Sequence, residues 1–263
     1  MLGLDIKSRF FDEGKFDIML TLYHFGDSLC SIKVRLCLSE KGVEYDAKFI
    51  DLMKFENLEP DYLALNPNGV LPTIVHDGKP VIESTVINEY IDEAFAGPSL
   101  RPDNAHERAR MRVWTKLQDD VVHPAIQKPT FNLLVKPILA GMSDQELEEF
   151  TGRHPHEANR NLFRNAARGP VDQVAIDAAK ERFVFVFGRM EQALEQAGWL
   201  AGESYSLADI AIAPAIDRLT ACGLYGLFEK FPKVLDWAER VKSREAFQRA
   251  VPSDEMRLKN FAA

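Results

Sequence analysis

Residues 66–84 read NPNGVLPTIVHDGKPVIES, and successive parts of this stretch dictate different local structures. Asn66-Pro67-Asn68-Gly69 is dense in turn formers, because proline fixes φ and glycine supplies φ above zero. Thr73–His76 and Pro80–Glu83 are brief β-rich segments on either side of Asp77-Gly78, a dipeptide suited to a two-residue hairpin. Ser84 opens a predicted helix that runs to Phe95, with Val86, Ile87, Tyr90 and Ile91 apolar. A turn, a hairpin and a helix thus follow one another without a linker.

Upstream, Met19–Phe25 (MLTLYHF) alternates and is β-rich, which predicts a strand. The loop Gly26-Asp27-Ser28-Leu29-Cys30 follows. A helix is then expected over Ser31–Lys41, with Val34, Cys37 and Leu38 inward and Gly42 as its stop. Tyr45–Asp51 (YDAKFID) predicts a second strand. Strand, helix and strand so close together imply a parallel pair joined by a right-handed crossover. Met53–Leu65 is polar, with a short helical turn at Asp61–Leu65. From Met19 the order is therefore β-α-β-α-β-β-α.

Beyond the joint Ala96–Asn104 only helical patterns remain. Met111, Trp114, Leu117 and Val121 form one stripe, and Phe183, Phe187, Met190 and Leu194 another. Further helices start at Ser206 and span Lys233–Val241. A change from mixed α/β to all-α marks a domain boundary near residue 98. The expected organisation is an N-terminal extension over 1–18, an α/β domain over 19–98 and a helical domain over 99–263. Pro124, Pro129, Pro137, Pro155 and Pro170 are expected to break His123–Ile176 into pieces, either as irregular pocket walls or as a surface insertion. Ser206-Leu207-Ala208-Asp209 reads as a capping box with a structural role.

The chain has 263 residues, 46% of them hydrophobic and 27% charged, an ordinary balance for a soluble globular protein. Its net charge is -8 and the basic residues form no stripe, which argues against nucleic acid or an anionic membrane as the main partner. No apolar run approaches a bilayer span, and residues 1–18 lack the apolar core of a secretory signal. The three cysteines, Cys30, Cys37 and Cys222, show no regular spacing, which suggests a reducing, cytoplasmic compartment. No metal-ligand pattern is present. His154 and His156 flank Pro155 in what reads as a solvated loop.

The distributed pattern of a Ser/Cys loop, Asn-Pro-x-Gly-x-Leu-Pro and Glu83-Ser84 resembles the glutathione transferase superfamily. The resemblance implies a thioredoxin-like βαβαββα domain followed by an all-helical domain, with glutathione as co-substrate. It implies a cis bond before Pro72, with the Leu71 backbone N–H and C=O pairing with the cysteinyl part of glutathione. Cis peptides are essentially confined to proline, usually in tight turns. Glu83-Ser84 resembles the family's acidic-Ser pair for the γ-glutamyl end, where a helix N-terminus favours a carboxylate; taken alone, Glu-Ser is merely an N-cap. Asn68 lies where family members contact the glycine carboxylate, with Lys54 as a possible assistant. A homodimer is also implied.

Glutathione must react as its thiolate. Lowering a thiol pKa from ~8.5 by roughly two units needs about 2.7 kcal/mol. One hydroxyl bonded to a charged sulfur supplies ~1.5–3 kcal/mol, and a helix N-terminus adds ~0.3–1 kcal/mol. A serine at the start of the first helix therefore suffices without a general base. Ser31 is the first candidate, on the functional pair of several bacterial classes, and Ser28 the second, on the position of other serine- and cysteine-using classes. Either can instead be a helix cap with no ligand. Cys30 is a third candidate, which would imply thiol–disulfide or lyase chemistry in place of conjugation.

The segments FIDLMKFE (49–56), HDGKPVIESTVINEYID (76–92), SLRPDNAHERARMRVWTK (99–116) and GMSDQELEEF (141–150) are similar to bacterial glutathione-dependent β-etherases of lignin-dimer breakdown. That likeness implies attack of the glutathione thiolate on a small aromatic electrophile, with an aryloxide displaced from the carbon next to a ketone. Cys30-Ser31 stands where that group has Asn-Ser, and His123–Leu133 (HPAIQKPTFNL) departs from its pattern. Phe25, Trp114 and Phe131 are candidate pocket aromatics, although an aromatic on a helix stripe is more often core. Two alternatives share the fold: another glutathione-dependent reaction (dehalogenation, peroxide reduction, thioether removal) or a non-catalytic binding protein.

Overall fold

Alternation along the first strand decides what meets across the sheet. In the computed structural model, which describes residues 20–258, strand β1 (Leu20–His24) turns Leu20 and Leu22 to one face and Tyr23 to the other. The expected extension over 1–18 lies outside the described residues. Helix α1 (Leu29–Lys41) follows and ends at Gly42, whose φ of 66° places its N–H on the carbonyls of Leu38 and Ser39. Strand β2 (Asp46–Phe49) then lies parallel to β1. After two short 3-10 turns and the single-turn helix α2 (Pro60–Leu63) come β3 (Thr73–His76), antiparallel to β1, and β4 (Lys79–Val81), antiparallel to β3. The sheet order is β2-β1-β3-β4. Asp77 and Gly78 both have positive φ, 51° and 72°, as a tight hairpin requires. Helix α3 (Ser84–Ala94) completes this part and packs beside α1 on the Leu20/Leu22 face.

The helical part starts at α4 (Ala105–Leu117) and does not break where its prolines suggest. The backbone runs on through a π turn (Gln118–Val122), α5 (His123–Thr130), a second π turn (Phe131–Val135) and α6 (Lys136–Gly141). The residue before each of two prolines bonds five residues back, His123 N–H to Gln118 O and Lys136 N–H to Phe131 O. The wider turn moves away the carbonyl that Pro124 or Pro137 would strike, and neither proline has an N–H to lose. Only Pro155 and Pro170 fall between helices, on either side of α8 (Glu157–Arg168), which pairs with α7 (Asp144–Gly152). His154 is also placed differently from the solvated loop expected of it. It is 5% exposed and stands edge-on to Phe55 at 4.9 Å, in a cluster with Phe150 and Phe163, while His156 is exposed. A local sequence of polar residues gave no sign of the distant Phe55.

Helix α9 (Gln173–Gln196) buries the Phe183, Phe187, Met190 and Leu194 stripe. It is followed by α10 (Leu207–Ile212), α11 (Pro214–Ala221), α12 (Pro232–Lys242) and α13 (Glu245–Ala250), and α1 packs on α10, α11 and α13. Among the described residues, no helix is long and apolar enough to cross a membrane. Ser206 and Asp209 form the expected capping box. Asp209 does more than cap, because Leu200 N–H (3.1 Å) and Trp237 Nε1 (2.9 Å) also donate to its buried carboxylate. Burial pushes this carboxyl up to about 6 despite those bonds. The folded protein then binds the proton more tightly than the unfolded chain, so this contribution to stability is complete below 3.8 and lost as pH rises through about 6. Urea unfolding of Asp209→Ala is expected to show a loss of about 3 kcal/mol or more from stranded buried donors, and a shallower fall of stability with pH than the parent. An unchanged midpoint would contradict this role.

Candidate active site

The turn ahead of β3 is held from inside. Asn66 donates to Val70 O (2.8 Å) and Thr73 Oγ1 (3.1 Å), and its own side-chain oxygen accepts the Asn68 N–H (3.1 Å). Tyr62 of α2 donates its hydroxyl to Val70 O at 2.7 Å. Gly69 has φ of 61°, and a Cβ there would lie 2.9 Å from the Leu58 side chain, so the position needs glycine twice over. The Leu71–Pro72 bond is cis. With Gly69 O and Val70 O already bonded, neither backbone polar group of Leu71 pairs with another described residue.

Glu83 and Ser84 stand at the head of α3. Glu83 adopts φ 67° and ψ 110°, which L residues rarely occupy, and its Oε1 accepts from Asn68 Nδ2 at 3.3 Å. Two residues singled out in the sequence, fifteen positions apart, are thereby brought together. Ser84 is buried beside them. Lys54 stands apart, exposed and paired with Asp51 at 3.2 Å.

The three candidates around the first helix have distinct surroundings. Ser28 is the N-cap of α1, half-buried, and accepts the Ser31 N–H at 3.4 Å. Ser31 is 0% exposed, and its oxygen accepts the Phe25 N–H at 3.4 Å. Cys30 is half-buried and hydrogen-bonded to His123 and to Ser84. Burial pushes its thiol up, but the His123 hydrogen bond, the charges of Lys33 and His123 and the Ser84 hydrogen bond outweigh this, and the net direction is down. His123 moves the opposite way, raised by the bond to Cys30 against the effect of burial.

Lys33, one turn after Cys30, is 0% exposed and donates to Thr85 Oγ1 (2.8 Å), Gln118 Oε1 (3.1 Å) and Asp119 Oδ1 (3.3 Å). A buried ammonium is tolerable only when paired and bonded in this way. Sequence reading missed Lys33, Gln118, Asp119 and His123. Three of them come from the first π turn and the helix after it, and the one signal available was the departure of HPAIQKPTFNL from the etherase pattern. Two buried guanidiniums fix the loop itself. Arg35 donates to Gly26 O (2.7 Å), Ala250 O (2.9 Å) and His24 Nδ1 (3.0 Å), and burial together with this charge lowers His24 to about 4. Arg218 of α11 pairs with Asp27 at 2.8 Å, and Leu258 N–H donates to the other Asp27 oxygen at 2.8 Å. Among the described residues, no group of three or more His, Cys, Asp or Glu could hold a metal ion.

The glutathione S-transferase N-terminal domain profile matches residues 19–93 and the C-terminal domain profile residues 146–245. Protein LigF of a Sphingobium species is 34% identical over 92% of this chain and 98% of its own. The chain belongs to the glutathione S-transferase family. It is a glutathione transferase, and its co-substrate is glutathione. The crystal structure of that beta-etherase LigF superposes with a TM-score of 0.75, covering 88% of this chain and 98% of that one. Glutathione transferase F7 from Populus trichocarpa, at 29% identity, superposes with 0.72 over 88% and 97%. Glutathione S-transferase 3 of Zea mays is 30% identical over 88% of this chain and 93% of its own.

The positive φ of Glu83 gives a test of the strain. Glu83→Gly is expected to raise unfolding free energy by about 1 kcal/mol, since glycine occupies this region freely. A variant less stable than the parent would mean that the Glu83 backbone is not strained.

Proposed function

We propose that this glutathione transferase cleaves aromatic β-ethers. The observation that carries the reading is the likeness to the beta-etherase LigF along almost the whole of both chains. Glutathione lies extended along Leu71-Pro72, with the Leu71 N–H and C=O pairing with its cysteinyl unit. Its γ-glutamyl carboxylate takes Ser84 and the N-terminus of α3 beside Glu83, where the helix dipole assists. Asn68, bonded to Glu83, acts at this same end. The thiolate attacks the ether carbon next to the ketone; the C–S bond forms, the C–O bond breaks, and the aryloxide leaves and takes up a proton. The products are a glutathione thioether and a phenol.

Of the two serines, burial favours Ser28 as the thiolate donor. Its side chain is half-buried at the head of α1, whereas Ser31 is enclosed; each oxygen accepts one backbone N–H at 3.4 Å, which leaves either O–H to donate. Ser31 then acts on the loop backbone. We further propose a cytoplasmic homodimer. Its support is a surface on adjoining faces of α3 and α4, where Arg112 reaches Glu89 at 2.9 Å and the apolar Val86 and Val113 are more than half exposed.

Incubation with glutathione and a β-aryl ether ketone carrying a fluorogenic phenol should release the phenol together with a glutathione adduct. Conjugation of a generic electrophile without phenol release would remove the etherase reading and leave the transferase. Ser28→Ala is expected to lower kcat roughly 10- to 100-fold, the loss of one bond to a charged sulfur worth ~1.5–3 kcal/mol, with glutathione affinity largely kept. Unchanged turnover would move the role to Ser31. Sedimentation should find a dimer that Val113→Glu converts to monomer, and a monomeric parent would end the dimer proposal.

A further inference from the structure

The segment between β2 and α2 has little order of its own. It is made of two three-residue 3-10 turns, Leu52–Lys54 and Glu56–Leu58, whose hydrogen bonds are poorly directed by nature. Phe55 joins them at φ 60° and ψ 27°, a left-handed conformation that a bulky residue keeps only where its surroundings impose it. The surroundings here are the hairpin of α7 and α8. The buried Phe55 ring lies 5.1 Å from Phe150, 5.8 Å from Phe163 and 4.9 Å from His154, centroid to centroid, with Leu139 and Leu147 in the same cluster.

That hairpin is itself anchored. The buried Lys136 ammonium of α6 donates to Ala166 O and Pro170 O, both at 2.7 Å, and so holds the end of α8 to the helical part. Arg164 of α8 bonds both oxygens of Glu148 in α7, at 2.9 and 2.6 Å. The opposite side of the 3-10 segment faces the turn that carries Leu71. Asn57 donates its Nδ2 to Gly69 O at 2.6 Å. Leu58 packs on the Phe55 cluster and also on Gly69, where its Cδ2 is the atom nearest to a would-be Cβ. One line of contact therefore runs from α8 through Phe55, Asn57 and Leu58 to the backbone two residues ahead of Leu71.

We propose that Phe55 and the α7–α8 hairpin are positioning elements that set glutathione affinity, by holding the Leu71 turn in its pairing form before glutathione arrives. The inference rests on the reading that glutathione pairs with the Leu71 backbone. No side chain of this line touches glutathione in that reading, so its effect is pre-organisation. A turn that is competent for only a fraction of the time raises the apparent Kd by the inverse of that fraction. Loosening the support until the turn is competent about one-tenth of the time weakens binding about tenfold. Bound glutathione orders the turn in every variant, and turnover at saturating glutathione then proceeds as in the parent.

The test measures glutathione Kd by calorimetry, and KM and kcat with 1-chloro-2,4-dinitrobenzene, on the whole protein and its variants. Phe163→Ala removes the far wall of the cluster without altering the 3-10 segment, and is expected to raise Kd and KM for glutathione about tenfold with kcat kept. Asn57→Ala cuts the other end of the line, leaves the hairpin intact and should do the same, which decides the matter if Phe163→Ala fails to fold. The double variant should stay near tenfold, since both changes cut one line; about a hundredfold would mean independent effects and overturn the proposal. Phe187→Leu, a core change in α9, should lower the urea midpoint and leave KM alone. Unchanged Kd in Asn57→Ala, or a Phe187→Leu variant that binds as weakly as Phe163→Ala, would likewise overturn it and leave the glutathione site standing. A parent protein that does not bind glutathione would sink the site reading and this inference with it.

Discussion

A lysine ammonium with no access to water can exist only where other groups replace its hydration, and Lys33 finds them on two separate elements. Thr85 comes from the head of α3, Gln118 and Asp119 from the π turn that ends α4. The consequence is geometric. The sheet-bearing part and the helical part must meet with α3, α1 and the π turn in one register, or a charge is left buried without partners. Arg35 and Arg218 repeat the device on the opposite flank of the loop, where carbonyls of Phe25, Gly26 and Asp27 accept from guanidiniums. Apolar packing, with its tolerance of small shifts, would hold the two parts together less specifically than these directional bonds.

The π turns explain how a long helix contributes so much to a small region. A regular α-helix presents every third or fourth residue to one side. The extra residue in Gln118–Val122 changes that phase, and Gln118, Asp119 and His123 all face the head of α1 and α3. Pro124 then starts the next segment from its first turn, where a missing N–H is harmless. Rather than interrupting the helix, the prolines stabilise the change of phase.

What could be read from the sequence follows the range of the forces involved. The Asn66–Ser84 stretch, the hairpin at Asp77-Gly78, the Gly42 stop and the Ser206/Asp209 box are set by neighbours within a few residues, and each was legible. The α9 stripe was legible because its period is local even though its partners are not. Lys33, Gln118 and His123 carry no local signature; a lysine on a helix reads as solvated until the fold brings it to an acceptor 85 residues away in the chain. His154 was misread for the same reason, its partner Phe55 being a residue of the other part of the chain. The choice among Ser28, Cys30 and Ser31 was left open by spacing, since all three lie within one helical turn. Burial separates them: one caps, one is enclosed, one meets an imidazole.

Asp27 has a further consequence through its two partners. Its carboxylate joins Arg218 and the Leu258 N–H, the latter 231 positions away in the chain. Met256, two residues earlier, packs directly on Gly26. A nascent chain emerging from the ribosome can assemble its sheet and most of its helices while these contacts are still unmade. The loop that carries Ser28 is therefore secured only after Met256 and Leu258 have been synthesised. A chain that lacks Met256 and Leu258 has the scaffold without the latch.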